Sequence, residues 1–119
     1  MAYIIDLKTH KDIRGSLTVV ERSLPFNVKR IYFIYDVKKS RGGHRHIKNI
    51  QAFICLGGSC EIYLDNGVKE ETFILKDPSK CLIVEPKDWH TMNNFQHGSI
   101  LLVLASEYYD PSDYIKKKY

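Results

Sequence analysis

The stretch Ile50-Gln51-Ala52-Phe53-Ile54-Cys55-Leu56-Gly57-Gly58-Ser59-Cys60-Glu61-Ile62-Tyr63-Leu64-Asp65-Asn66-Gly67 decides the fold. Ile50 to Leu56 is an apolar run of strand length, closed by Gly57-Gly58. The pattern then changes: Cys60, Ile62 and Leu64 alternate with Glu61 and Tyr63, as in a strand with one face in a core. Asp65-Asn66-Gly67 reads as a hairpin turn, because Asn and Gly tolerate positive φ, and Thr72 to Leu75 returns.

The same grammar runs outward in both directions. Before the stretch come Tyr3 to Leu7, Leu17 to Glu21 after the turn Asp12-Ile13-Arg14-Gly15, and the β-prone Ile31 to Val37. After it come Cys81 to Val84, Trp89 to Phe95 and Ser99 to Ala105, the last two flanking Gln96-His97-Gly98. Short strands at close spacing predict an all-β sandwich or barrel. Only the C-terminus reads helical. Asp110 suits an N-cap, Pro111 the first helical position, and Lys116 to Lys118 the negative end of the dipole. With no repeat or linker, residues 1–119 read as one domain with a short C-terminal helix.

Composition narrows the function classes. Apolar residues are 44% and charged residues 27%, which excludes wholesale disorder. No apolar run approaches the ~20 residues of a membrane helix, and the first residues lack a signal-peptide pattern. Cys55, Cys60 and Cys81 are odd in number, form no Cys-x-x-Cys pair and lie in apolar runs, so they read as buried thiols of a cytoplasmic protein. A net charge of +4 fits a phosphorylated small molecule as well as nucleic acid. The basic residues are scattered and no nucleic-acid motif appears, so no nucleic-acid partner is expected.

The chemistry concentrates in Arg41-Gly42-Gly43-His44-Arg45-His46-Ile47-Lys48, with Gln51 close behind. Strand alternation puts His44, His46 and Lys48 on one face and Arg45 on the other. Two imidazoles and an ammonium facing inward make sense only around a polar ligand. Arg14 sits in a turn, and Pro86-Lys87-Asp88-Trp89-His90 brings a further histidine toward the barrel mouth. One reading is a metal site of His44, His46 and His90, weakened by the amide of Gln51 where a carboxylate would serve. The other is metal-free acid–base chemistry. Neutral imidazoles can remove a proton beside a ketone while Tyr and Arg donors hold the enolate oxygen.

Several strings together resemble the nucleotide-linked sugar 3,4-ketoisomerases. They are Asp12-Ile13-Arg14-Gly15, the run from Val28 to Val37, Arg41 to Lys48, Leu64-Asp65-Asn66-Gly67, Trp89-His90-Thr91-Met92, Ala105 to Asp110 and Asp113-Tyr114-Ile115. The resemblance implies a double-stranded β-helix (cupin, a jelly-roll-like barrel) and a homodimer made by exchange of N-terminal strands. It implies no cofactor and no metal. The implied reaction converts dTDP-4-keto-6-deoxy-D-glucose to its 3-keto isomer, on the way to 3-amino sugars of surface polysaccharides such as O-antigen. By the same resemblance His44 and His46 are the catalytic pair and Tyr35 lines their cavity, while Arg41, Lys48 and Gln51 contact substrate. Arg14 with His90 implies the galacto product, with His90 as candidate acid, and Trp89 is core or cavity wall. Arg45 departs from the usual small residue and is expected to face outward, toward a dimer partner; the loop Lys38-Lys39-Ser40 is short. The rival is a metal-binding or non-catalytic sugar-binding cupin. An epimerase of this barrel class would need one base for C3 and another for C5, and the sequence displays no evident second dyad with a carboxylate-held histidine.

Overall fold

The computed structural model describes residues 1–119. Its strands are β1 (Tyr3–Asp6), β2 (Lys8–Asp12), β3 (Gly15–Val19), β4 (Arg30–Ile34), β5 (Arg41–His46), β6 (Gln51–Cys55), β7 (Ser59–Asp65), β8 (Glu70–Leu75), β9 (Lys80–Val84), β10 (Trp89–Gln96), β11 (Leu101–Ala105) and β12 (Tyr114–Ile115). Two five-stranded antiparallel sheets face each other, in the orders β1-β9-β6-β11-β4 and β12-β5-β10-β7-β8. The connections cross repeatedly between the sheets, as in a jelly roll.

Alternation fills the space between them. Phe53, Cys55, Leu82, Val84, Leu101 and Val103 point inward from the first sheet; Cys60, Ile62, Leu64, Leu75 and Met92 point inward from the second. The first sheet is also covered on its back, where Ala52, Ile54, Cys81, Ile83 and Leu104 pack under Val20, Leu24 and Phe26. β6 is therefore buried on both faces, which is why it reads as an unbroken apolar run while β7 alternates. The three cysteines are free and buried, and no helix is long and apolar enough to cross a membrane.

Two elements differ from the sequence reading. β2 pairs with β3 as a separate two-stranded hairpin; its sequence Lys-Thr-His-Lys-Asp has no apolar alternation to announce a strand. The C-terminal helix is a single 3-10 turn, Pro111–Asp113. Asp110 does cap it, accepting from the Ser112 amide at 3.0 Å. The turn stops because Asp113 is committed elsewhere: its carbonyl accepts from the Ile47 amide at 3.0 Å, and Tyr114 extends to pair with β5. Lys116 to Lys118 consequently sit at no helix end. The tail straps the outer face of the second sheet, where the Lys116 carbonyl accepts from Trp89 Nε1 at 3.0 Å and the Lys117 carbonyl from Arg45 Nε at 3.2 Å. Arg45 faces outward, where it meets this tail and the Tyr119 ring (4.1 Å to the centroid).

Candidate active site

The site lies between the two sheets, near the edge strands β4 and β12. Register fixes who faces it. On the first sheet, Arg30, Ala105 and Gln51 form one row, and Tyr32, Val103 and Phe53 the next. On the second sheet, His44 pairs with His90, and His46 with Tyr114. The strands β5 and β10 approach closely at a bulge between His90 and Thr91. Gly42 permits this: its φ is +90°, and a Cβ there would stand 2.8 Å from the His90 carbonyl oxygen.

The result is a cluster of imidazoles. The His44 ring centroid is 5.0 Å from that of His46, 5.1 Å from His90 and 4.6 Å from Tyr114. Tyr114 also lies 4.6 Å from His46. His46 donates from Nδ1 to Asp113 Oδ2 at 3.0 Å, and His90 from Nδ1 to the Asp88 carbonyl at 3.0 Å. Their Nε2 atoms are buried with no protein partner. With Nδ1 carrying the proton, each Nε2 offers a lone pair. His44 alone of the three is only half-buried.

Electrostatics keeps these rings neutral. Burial, and then the neighbouring His46, push His44 down to about 4; a hydrogen bond to Gly42 opposes the shift. Burial takes His90 to about 3. His46 is also lowered by burial, but Asp113 opposes the shift through its hydrogen bond and charge. Among the three, His46 is the imidazole with a carboxylate ready to stabilise a proton. Asp113 is buried and held rigidly, accepting from the amides of Lys48 at 2.8 Å and Asn49 at 3.3 Å as well. His46 and Asp113 thus form one carboxylate-held histidine, whose two halves are 67 residues apart. On the opposite wall, Gln51 Nε2 donates to the Tyr32 hydroxyl at 2.9 Å. Burial raises Tyr32 to about 12, so the phenol stays protonated and its own hydrogen is free for a ligand oxygen.

The expected site residues divide. His44, His46, His90 and Gln51 come together. Arg41 is exposed at the start of β5. Lys48 does not share the histidine face: β5 ends at His46, and Lys48 is exposed beyond it. Tyr35 is 58% exposed and stacks on Phe33 (5.9 Å) on the outer side of the first sheet, so the inward tyrosine of that segment is Tyr32. Trp89 is neither core nor cavity wall; it packs against Tyr63 (6.3 Å) and Lys118 outside the second sheet. Arg14, at the tip of the β2–β3 hairpin, is paired with Asp12 and makes no hydrogen bond to His44, His46 or His90. Tyr32, Asp113 and Tyr114 are the functional candidates that sequence reasoning passed over. Alternation in Arg30-Ile31-Tyr32-Phe33-Ile34 would have separated Tyr32 from Tyr35; nothing local marks Asp113.

Three imidazoles whose ligand atoms lie within 4.8 Å of one another also form a donor set for a borderline divalent cation. His44, His46 and His90 would hold it, with outer acceptors on two of them. A cation there would polarise a substrate carbonyl. The donor set is three neutral imidazoles with no carboxylate among them, so no anionic ligand would offset the cation's charge.

These features define a double-stranded β-helix of cupin type, with three imidazoles clustered between its sheets. Residues 1–119 match the family described as FdtA: WxcM-like, C-terminal, and the chain belongs to that family. It is 42% identical over 118 residues to the TDP-4-oxo-6-deoxy-alpha-D-glucose-3,4-oxoisomerase of Aneurinibacillus thermoaerophilus, covering 96% of this chain and 85% of that protein. The 3,4-ketoisomerase QdtA of Thermoanaerobacterium thermosaccharolyticum, solved with TDP, superposes with a TM-score of 0.93 at 43% identity, covering 98% of this chain and 88% of that one. A histidine-to-asparagine variant of QdtA was solved with TDP-4-keto-6-deoxyglucose. Identity is 45% to a double variant of it carrying arginine in place of a tyrosine and histidine in place of an arginine. A 3,4-ketoisomerase from Helicobacter canadensis superposes at 0.92 with 40% identity, covering 98% of this chain and 90% of that one.

Proposed function

We propose that this chain moves the ketone of TDP-4-keto-6-deoxy-D-glucose from C4 to C3, giving TDP-3-keto-6-deoxy-D-galactose for 3-amino-sugar and polysaccharide biosynthesis. The observation that carries the reading is the cluster of three neutral imidazoles, of which only His44 is open to a ligand. The C4 ketone acidifies the C3 hydrogen. His44 takes that proton; the C3–H electrons become the C3–C4 double bond, and the carbonyl electrons move to O4. Tyr32 donates to the resulting enediolate. His46, held by Asp113, stabilises the positive charge now on the imidazole pair. The proton on the imidazole then returns to C4, while O3 gives up its proton and O4 takes one up, leaving the ketone at C3 and a hydroxyl at C4. Atoms and electrons balance with no external redox partner.

The face of reprotonation sets the C4 configuration, and Arg14 and His90 are the residues assigned to it. The rise from 43% to 45% identity when QdtA receives an arginine and a histidine is what two matched residues add over this length. That supports placing Arg14 and His90 at those two positions. Because Arg14 makes no hydrogen bond to the histidines of its own chain, it serves a partner's site. The hairpin that carries it pairs with no other sheet, and it exposes Ile13 and Leu17. The outer face of β4 exposes Ile31, Phe33 and Tyr35. Both features support a homodimer made by N-terminal strand exchange. NMR of the product formed from TDP-4-keto-6-deoxyglucose tests the assignment: a galacto 3-ketosugar is expected, and unchanged substrate would overturn it.

A further inference from the structure

β9 hands over to β10, and the first sheet to the second, through Glu85-Pro86-Lys87-Asp88. Every carbonyl of this turn accepts a hydrogen bond. That of Glu85 accepts from the Asp88 amide at 3.0 Å and closes the turn, with Pro86 where such turns favour proline. That of Pro86 accepts from the His46 amide at 3.0 Å. That of Lys87 accepts from the Tyr119 hydroxyl, and that of Asp88 from His90 Nδ1 at 3.0 Å. Four consecutive acceptors hold the turn itself, the backbone of one site histidine, the C-terminal tail and the ring of a second histidine.

The side chain of Asp88 lies behind this arrangement. It is 1% exposed, and the proton transfers described above do not use it. Oδ2 accepts from the Glu85 amide at 3.0 Å, while Oδ1 is buried with no protein partner. Burial pushes the carboxyl above the usual carboxylate range, against the pull of that one hydrogen bond. Burying a half-satisfied carboxyl costs free energy that an apolar side chain would not. What the carboxyl adds is a second link across the turn. Glu85 and Asp88 are joined amide to carbonyl in one direction and carboxyl to amide in the other. The two links fix the plane of the Asp88 peptide, and so the direction in which its carbonyl points. We propose that Asp88 is a positioning residue of the site, locking the Glu85–Asp88 turn so that its carbonyl keeps the His90 proton on Nδ1. The Nε2 lone pair of His90 then faces the cluster it forms with His44 and His46. The inference rests on the isomerase reading above and adds to it the residue that fixes the state of His90.

Long-range proton–nitrogen NMR of the histidine rings tests it, beside turnover of TDP-4-keto-6-deoxyglucose. Wild type should show His90 protonated on Nδ1; a ring protonated on Nε2 overturns the proposal. In Asp88→Ala, with folding checked by circular dichroism, the His90 proton should divide between its two nitrogens. The expected fall in kcat is about 100-fold with KM little changed, as when reacting groups are displaced by ~1 Å. The product should then be mixed at C4, because His90 is assigned to the face of reprotonation. Asp88→Asn keeps an acceptor for the Glu85 amide and should restore both the tautomer and the galacto product. A His90 ring still wholly protonated on Nδ1 in folded Asp88→Ala overturns the proposal, even when kcat falls, since the side chain would then support only the fold. Should Asp88→Ala not fold, Asp88→Ser decides: its hydroxyl closes turns more weakly, so a partial shift to Nε2 is expected and an unshifted ring overturns the proposal. The tautomer is read without substrate. Wild type that leaves the sugar nucleotide unchanged therefore removes the isomerase reading separately.

Discussion

Replacing Asp113 by Asn keeps the shape of a buried side chain and removes its charge. The carboxylate accepts three hydrogen bonds: from His46 Nδ1 at 3.0 Å, and from the Lys48 and Asn49 amides at 2.8 and 3.3 Å. In Asp113→Asn the amide oxygen can keep Lys48. The amide nitrogen then points at two donors, His46 Nδ1–H and the Asn49 amide. A charge-assisted bond is worth about 1.5–3 kcal/mol and an unsatisfied buried donor costs a further 1–3. Relaxation offsets part of this, so the expected loss is about 3 kcal/mol of stability. His46 escapes the clash by moving its proton to Nε2. That turns a lone pair in the cavity into a donor beside His44. A wrong-tautomer substitution of this kind costs up to about 10⁴ in kcat. Urea unfolding and C3-hydrogen exchange, followed by NMR, measure the two effects. Stability within about 0.5 kcal/mol of wild type and exchange within about threefold would refute the reasoning.

The acid limb of kcat/KM should lie near the lowered value of His44, about 4, so activity holds flat from pH 8 to near 5; a limb centred near 6.5 would count against His44 as base. His90 has a folded value of about 3 against an ordinary 6.5. Its contribution is fully present above 6.5 and is lost as pH falls toward 3, where the unfolded chain binds the proton first. The slope approaches about 1.4 kcal/mol per pH unit, and denaturation of His90→Asn across this window should be correspondingly flatter. Exhaustive chelation followed by metal analysis should leave isomerisation intact in metal-free protein; loss of activity restored by one equivalent of a divalent ion would favour the metal-dependent alternative.

Much of the fold was legible because alternation is local. Cys60, Ile62 and Leu64 announced an inward face, and the unbroken run at Phe53 announced a strand, whose cover on both faces only the packing shows. The His-x-His spacing likewise carried its own geometry. What escaped was set by distant partners. Asp113 stands at a chain position that reads as a helix start, and becomes the anchor of His46 only because β12 completes the edge of β5. The C-terminal lysines suggested a helix end, while the pairing at Tyr114 made a strand. Lys48 failed the face argument because its strand ends two residues earlier, a boundary that periodicity does not mark. Arg30 and Tyr32 lie in a segment whose alternation was visible; choosing between Tyr32 and Tyr35 required knowing which face is the inside.

The most direct measurement is incubation of TDP-4-keto-6-deoxyglucose in deuterated water with wild type and with folded His44→Asn. Wild type should exchange the C3 hydrogen and yield the 3-ketosugar, while His44→Asn binds the sugar nucleotide and exchanges nothing. Wild-type rates of exchange in His44→Asn would contradict the account.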